Sequence, residues 1–396
     1  MRKRIARNPI FWYYAIVALR SVDFIGAALV PFFLEWGHIS RGTMQLLQMW
    51  FWIWTTMLDL PTGVLADRIP RKYAIAGGLF CSALGFALYS RVPQLWVFLI
   101  AELILAFGMA LISGAEETWL AGILHDSDMG SPVKAGAIAG RANVISCVSR
   151  MCTAPLGTLI ALYWGLNAPI LCAAVPVCIA GCIVLMLPEP VRKKRKATIR
   201  DVVRTGLSFV WHTRALKLLT INLALVEVAG YFVVWLYQPL LISSNVPLAY
   251  FGIAHAMLAG AQLVVSLSFP IFGRIFGSYE RFAKYAALLT FVAFAAPVFH
   301  RHILTALFFA AVGGGFGLTR RSALFGVINA YIPRQNDEAS GATIRSTMST
   351  VRRAAIAGLN LCVGLLDTYP LRLTLGLLAL LPLIAFLMPQ SSEKKK

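Results

Sequence analysis

Apolar residues run along the chain in stretches of about 20, each closed by a short polar turn, and the alternation repeats from end to end. A helix needs about 20 such residues to cross about 30 Å of hydrocarbon. Twelve stretches meet that need: 10–35, 44–66, 73–90, 94–118, 138–162, 167–188, 216–242, 249–273, 283–299, 303–329, 340–366 and 371–388. The pattern predicts an all-α membrane protein with twelve transmembrane helices. Its only long polar interruption, 188–216, opens with PEPVRKKRK and continues through Ile199, Val202, Val203, Leu207 and Phe209 at helical spacing. That spacing predicts a basic linker followed by an amphipathic helix lying on the membrane surface. The chain then divides into a six-helix bundle over 1–190, a linker over 191–215 and a second six-helix bundle over 216–396.

Composition agrees with this picture. Hydrophobic residues make up 59% of 396 and charged residues 13%, with a mean hydropathy of +0.73, which leaves too little polar surface to cover a water-soluble globule. The net charge of +19 would suit nucleic acid if it were clustered on a soluble face. It is instead concentrated on alternate loops: Arg2, Lys3, Arg4 and Arg7; Arg68, Arg71 and Lys72; the linker run Arg192 to Lys196, with Arg200 and Arg204; Arg281 and Lys284; Arg334; and Lys394 to Lys396, while the other loops offer only Arg41, Arg91, Arg301 and Arg372. This asymmetry predicts cytoplasmic termini and a cytoplasmic linker, with anionic headgroups and not nucleic acid as partner. The first apolar run carries Arg20 and Asp23 and is too long for a cleaved signal, so it is expected to insert and stay. The seven cysteines fall inside predicted spans with no metal or disulfide spacing, which points to small packing residues and no metal or other cofactor.

Between the second and third spans lies DLPTGVLADRIPRK, which places Gly63, Asp67, Arg68, Arg71 and Lys72 at the water boundary. This spacing resembles the signature loop of the major facilitator superfamily, Gly-x-x-x-Asp-Arg-x-Gly-Arg-Lys, with Pro70 in place of a Gly. The resemblance implies two pseudo-symmetric six-helix bundles, with the first and seventh spans facing a central cavity and Asp67 capping the eleventh. Ala154, Pro155 and Gly157 resemble part of the Gly-Pro motif of the family's drug antiporters. Glu102 stands where those antiporters carry an Arg in the fourth span. The chain thus resembles bacterial 12-helix drug or metabolite:proton antiporters of the inner membrane.

A duplicated plan should repeat equivalent residues at one offset. An offset of 204 relates Asp23 to Glu227, Gly26 to Gly230, Glu116 and Glu117 to Arg320 and Arg321, and Arg141 to Arg345. A charge at the middle of a span costs about 3 kcal/mol or more unless it meets a partner or a wet cavity, so these positions are candidates for function. Asp23, Glu227, Glu102 and Asp59 are the proton-coupling candidates. Arg20 stands three residues from Asp23, close enough on one helical face to pair with it. Tyr231, Trp235 and Gln238 follow Glu227 at steps of four, four and three, a stripe suited to a partly aromatic or cationic solute. Arg20, Gln262, His255, Arg352 and Arg353 extend the candidate solute site. Aromatic packing at the lipid boundary is the ordinary alternative for the stripe.

Arg141, Arg320, Arg321, Arg345, Arg352 and Arg353 oppose Asp67, Glu116 and Glu117, most of them near cytoplasmic helix ends. Opposed clusters of this kind make a latch that pairs when closed and is solvated when open. No Walker loop, nucleophile elbow or metal-ligand pair occurs, and Gly313 to Gly315 lies inside a span, so an enzyme is not expected. The function expected is proton-coupled export of a small organic solute by a monomer. A proton symporter or uniporter importing an anionic metabolite is the alternative, followed by a non-transporting receptor.

Overall fold

The computed structural model describes residues 8–126, 132–189, 210–320, 324, 338–366 and 370–389. Among these residues the secondary structure is entirely helical, and each of the twelve predicted spans holds helix. Among the described residues, seven helices are long and apolar enough to cross a membrane on their own, and Ile303–Leu318 and Leu371–Leu387 are shorter apolar segments. Large apolar side chains are displayed outward, among them Phe299 at 84% and Tyr163 at 80% exposure, which is the surface a bilayer covers and water does not. Four of the seven cysteines, Cys152, Cys178, Cys182 and Cys362, are also exposed and so are not core packing residues. The chain forms two compact units: Met1–Lys196 with Leu248–Ala256, and Ala197–Pro247 with Met257–Lys396. The predicted linker lies mostly outside the described residues.

In the first unit, α1 (Pro9–Arg20) starts on Asn8, whose side chain accepts from Phe11 N–H at 3.4 Å, with Pro9 in the first turn where its missing N–H costs nothing. It stops at Ser21. Helix resumes only at α2 (Leu29–Pro31), which runs into a π turn at Phe32–Trp36. The predicted span 10–35 is therefore broken in its middle. α3 (Arg41–Arg68), α4 (Arg71–Tyr89), α5 (Leu95–Asp126), α6 (Pro132–Trp164) and α7 (Ala168–Met186) complete the unit. Gly78 on α4 and Gly108 on α5 meet so closely that a Cβ on either would lie 2.6 Å from the other's carbonyl oxygen. Such backbone approach gives membrane helices their packing energy, since lipid supplies no hydrophobic drive between them.

The second unit holds α8 (Arg214–Ser243), most of α9 (Phe251–Leu267), α10 (Phe269–Ile275), α11 (Tyr279–Phe299), α12 (Ile303–Phe308), α13 (Gly314–Leu318), α14 (Glu338–Leu365) and α15 (Leu371–Leu387). The Gly313 to Gly315 run, expected within a regular helix, instead spans the change from a π turn (Phe309–Gly313) to α13. α8 crosses α13 at Gly230, where a Cβ would come within 2.7 Å of the Gly317 backbone. This contact lies one turn beyond Glu227.

Candidate functional site

Asp23 sits in the break between α1 and α2, and α6 holds it there. Three hydroxyls of α6 line the broken end: Ser146 Oγ meets Ser21 Oγ at 2.9 Å, Ser149 Oγ donates to the Ala18 carbonyl at 2.8 Å, and Thr153 Oγ1 accepts from Asp23 N–H at 3.0 Å. Ser149 and Thr153 satisfy backbone groups at the interrupted end of the helix inside the bilayer, and Ser146 meets a side-chain hydroxyl. Gly157 lies on the Phe24 backbone, and a Cβ there would fall 1.9 Å from the Phe24 oxygen, so only Gly fits. Asp23 Oδ1 accepts from Gly26 N–H at 2.8 Å, and Oδ2 lies 3.1 Å from His255 Nε2. A Cβ on Gly26 would come within 2.7 Å of both the carboxylate and the His255 ring, so the glycine makes room for this pair. His255 is buried, while the Asp23 side chain keeps 24% exposure.

The expected pairing of Arg20 with Asp23 does not occur. α1 ends at Arg20, so Asp23 no longer shares its helical face. Arg20 instead makes a two-point contact with Glu116 on α5, with both nitrogen-to-oxygen distances at 2.7 Å. Glu116 thus has a basic partner inside its own unit.

Glu227, at the repeated position, lies on α8 with its side chain 9% exposed, and its Oε2 is 3.4 Å from Arg352 Nε on α14. Arg353 is buried beside it in sequence. Arg320 donates through Nη2 to Asn222 Oδ1, and Asn222 is in turn fixed by its own donation to the Ala385 carbonyl at 2.6 Å. Thus each repeated acid has a basic partner in its own unit, histidine for one and arginine for the other. The stripe above Glu227 is partly inward. The Tyr231 and Trp235 rings are 6.3 Å apart, with Trp235 buried, while Gln238 is fully buried and donates to Tyr237 Oη at 2.7 Å. Gln262 on α9 is buried with its Nε2 lacking a hydrogen-bond partner among the described residues.

Glu102 is buried on α5 and accepts from Gln48 Nε2 at 2.7 Å, a neutral partner and not a counter-charge. Asp59 Oδ1 accepts from Ser113 Oγ at 2.9 Å, tying α3 to α5. In the signature turn, α3 ends at Arg68 and α4 begins at Arg71, leaving Ile69 and Pro70 as an extended link. Pro70 has φ −55°, which proline adopts without strain, so its replacement of the family's Gly leaves the tight turn intact. The Glu189 carboxylate accepts from the N–H groups of Arg71 and Lys72, at 2.7 and 3.0 Å, and so caps α4. A methyl group at Gly63 would meet nothing within 4 Å, and Arg141 is exposed. The side chains of Asp67, Glu117 and Arg345, and all of Arg321, lie outside the described residues.

Sequence reasoning missed Glu189, Asn222 and the hydroxyl ladder of α6, and it placed His255 among the solute contacts and not beside Asp23. Their partners stand about 100 or more residues away along the chain, with |i−j| of 118 for Glu189 and 232 for His255, so no local spacing announces them. Only the ladder left a trace, as Ser146, Ser149 and Thr153 at intervals of three and four on one helical face.

Comparison with known proteins agrees with this architecture. The profile of the Major Facilitator Superfamily matches residues 11–358. YxaM of Bacillus subtilis (strain 168), described as an uncharacterized MFS-type transporter, is 32% identical over 74 residues, or 19% of this chain. The matched stretch spans only 18% of that relative's length. Two crystal structures of the nucleoside transporter NupG, one of them a mutant, share the fold. The mutant superposes with a TM-score of 0.74 at 13% identity, covering 94% of this chain and 97% of the other. The second gives 0.72 at 12% identity, covering 96% and 97%. The chain belongs to the Major Facilitator Superfamily and is a multi-pass membrane transporter, not an enzyme.

Proposed function

We propose that this transporter moves a small organic solute outward in exchange for protons, by alternating access. The observation that carries the reading is the pair of acids at repeated positions, Asp23 on His255 and Glu227 on Arg352. A carboxylate paired with histidine forms a coupled two-group site, and each proton gained or lost changes its net charge by one. Protonation of Glu227 removes the negative partner of Arg352 and so alters what the site attracts. Tyr231, Trp235 and the Gln262 amide are the solute contacts, the last because a buried donor without a partner is costly unless a ligand accepts from it. Glu102 and Asp59 are secondary proton sites. In this reading the bundles 1–190 and 216–396 act as one monomer in a bacterial inner membrane, with termini and the 191–215 linker in the cytoplasm against anionic headgroups.

Arg352 favours one second reading, import of an anionic metabolite with protons, because a guanidinium relieved of Glu227 is a ready anion contact. Proteoliposomes with an imposed pH gradient and a trapped pH dye decide between them when a panel of solutes is added. Export predicts that an added solute drives protons against its own movement, and symport predicts movement in the same direction. In either case Glu227→Gln and Asp23→Asn are expected to abolish pH-driven flux while leaving folded yield unchanged. Flux at the unaltered rate in both variants would remove these acids from the mechanism.

A further inference from the structure

A second polar site lies inside the second unit, away from the aromatic stripe. α8, α11 and α15 border a half-open cleft whose polar lining is Asn222, Glu280, Lys284 and Arg320. The rest of the wall is apolar, with Leu219 and Met388 among it. Arg320 is only 2% exposed, and of its three nitrogens only Nη2 is matched, by Asn222. Its Nε and Nη1 have no hydrogen-bond partner among the described residues, and the Arg320 side chain is part of the cleft wall. Lys284 reaches the same space, its ammonium 5.5 Å from the centre of the Phe386 ring.

Burying a guanidinium with two nitrogens unmatched costs several kcal/mol in a low-dielectric interior, about 1.5–3 for each charge-assisted hydrogen bond forgone. The surrounding charges deepen the imbalance. Arg320 and Arg353 are buried and Arg352 half-buried, while Glu227 is the one carboxylate among the described residues that is buried in this unit. Glu280 stands one turn before Lys284 on α11 and brings one negative charge to the cleft against the two positive charges of Lys284 and Arg320. The group that completes such a site is an oxyanion able to accept from the guanidinium fork while Lys284 adds a point charge.

We infer that this cleft binds a phosphate-type anion through Arg320 and Lys284, with Asn222 holding the Arg320 fork in place. Two sources share that chemistry, free phosphate and the headgroup of an anionic phospholipid. The apolar wall suits an acyl chain as well as a headgroup, and the neighbouring residues of α15, Leu387 at 69% and Ile384 at 49% exposure, face outward beside it.

Thermal unfolding of the purified full-length chain tests this, first in detergent with inorganic phosphate and then in nanodiscs of phosphatidylcholine with or without phosphatidylglycerol. A rise in midpoint with phosphate assigns the site to a small anion, and a rise with phosphatidylglycerol alone assigns it to a lipid. In either case Arg320→Gln is expected to weaken the effect by about tenfold or more, as the loss of a charge-assisted contact requires. Lys284→Gln should weaken it less, and Lys217→Gln, an exposed lysine outside the cleft, should leave it unchanged. Should Arg320→Gln fail to fold, the contrast between Lys284→Gln and Lys217→Gln decides. The inference is overturned if neither probe shifts the unaltered protein, or if Lys284→Gln and Lys217→Gln respond as it does. Because this readout is stability and not flux, it stands or falls separately from the transport reading.

Discussion

Arg20 shows how a charged side chain chooses its partner once the backbone has set its direction. Three residues from Asp23 in sequence, it turns away to Glu116, 96 residues on, because α1 ends beneath it. The two-point geometry is specific to arginine and carboxylate, and partial burial, 28% and 21% exposure, limits solvent screening without abolishing it. A double-mutant cycle on Arg20→Gln and Glu116→Gln, read by thermal unfolding, is expected to give a coupling of roughly 0.5–3 kcal/mol. Additive losses would mean that the pair contributes nothing beyond its separate contacts. Candidate residues were legible in the sequence because a charge amid apolar neighbours is conspicuous, and Asp23, Glu227 and Arg352 were found this way. Their partners were not, since pairing across helices has no period to read.

At the scale of elements, apolar run length identified the helices, and every predicted span contains one. What run length missed is the interruption at 21–28. An isolated reading of AIVALRSVDFIGAALV continues as helix, and it takes the hydroxyls of α6 and the bare face of Gly157 to stabilise the gap. Gly157→Ala therefore drives a methyl into the Phe24 carbonyl and is expected to cost about 1–3 kcal/mol or more. Gly77→Ala, where a Cβ meets nothing within 4 Å, should be neutral or slightly stabilising. Equal unfolding midpoints for the two variants would show that the gap does not depend on that contact. The link at Ile69 and Pro70 was legible in its residues, but Glu189, which caps the helix that follows, was hidden in what looked like the beginning of a linker.

For the whole molecule, composition and loop charge sufficed to place the chain in a bilayer, and the signature turn sufficed for the family. Of the charges expected to form a latch, Glu116 pairs with Arg20 and Arg320 with Asn222, each inside its own unit. The interrupted first span has a further consequence for how the protein is made. Twelve residues of α1 reach only about 18 Å, short of the hydrocarbon thickness. The hydroxyls that let the segment complete its path emerge about 130 residues later, with α6. Nascent chains halted before residue 132 should therefore hold their N-terminal segment loosely, open to extraction by alkaline carbonate, and chains halted after residue 164 should resist it. Translation itself would then be the clock that decides when the first crossing becomes permanent.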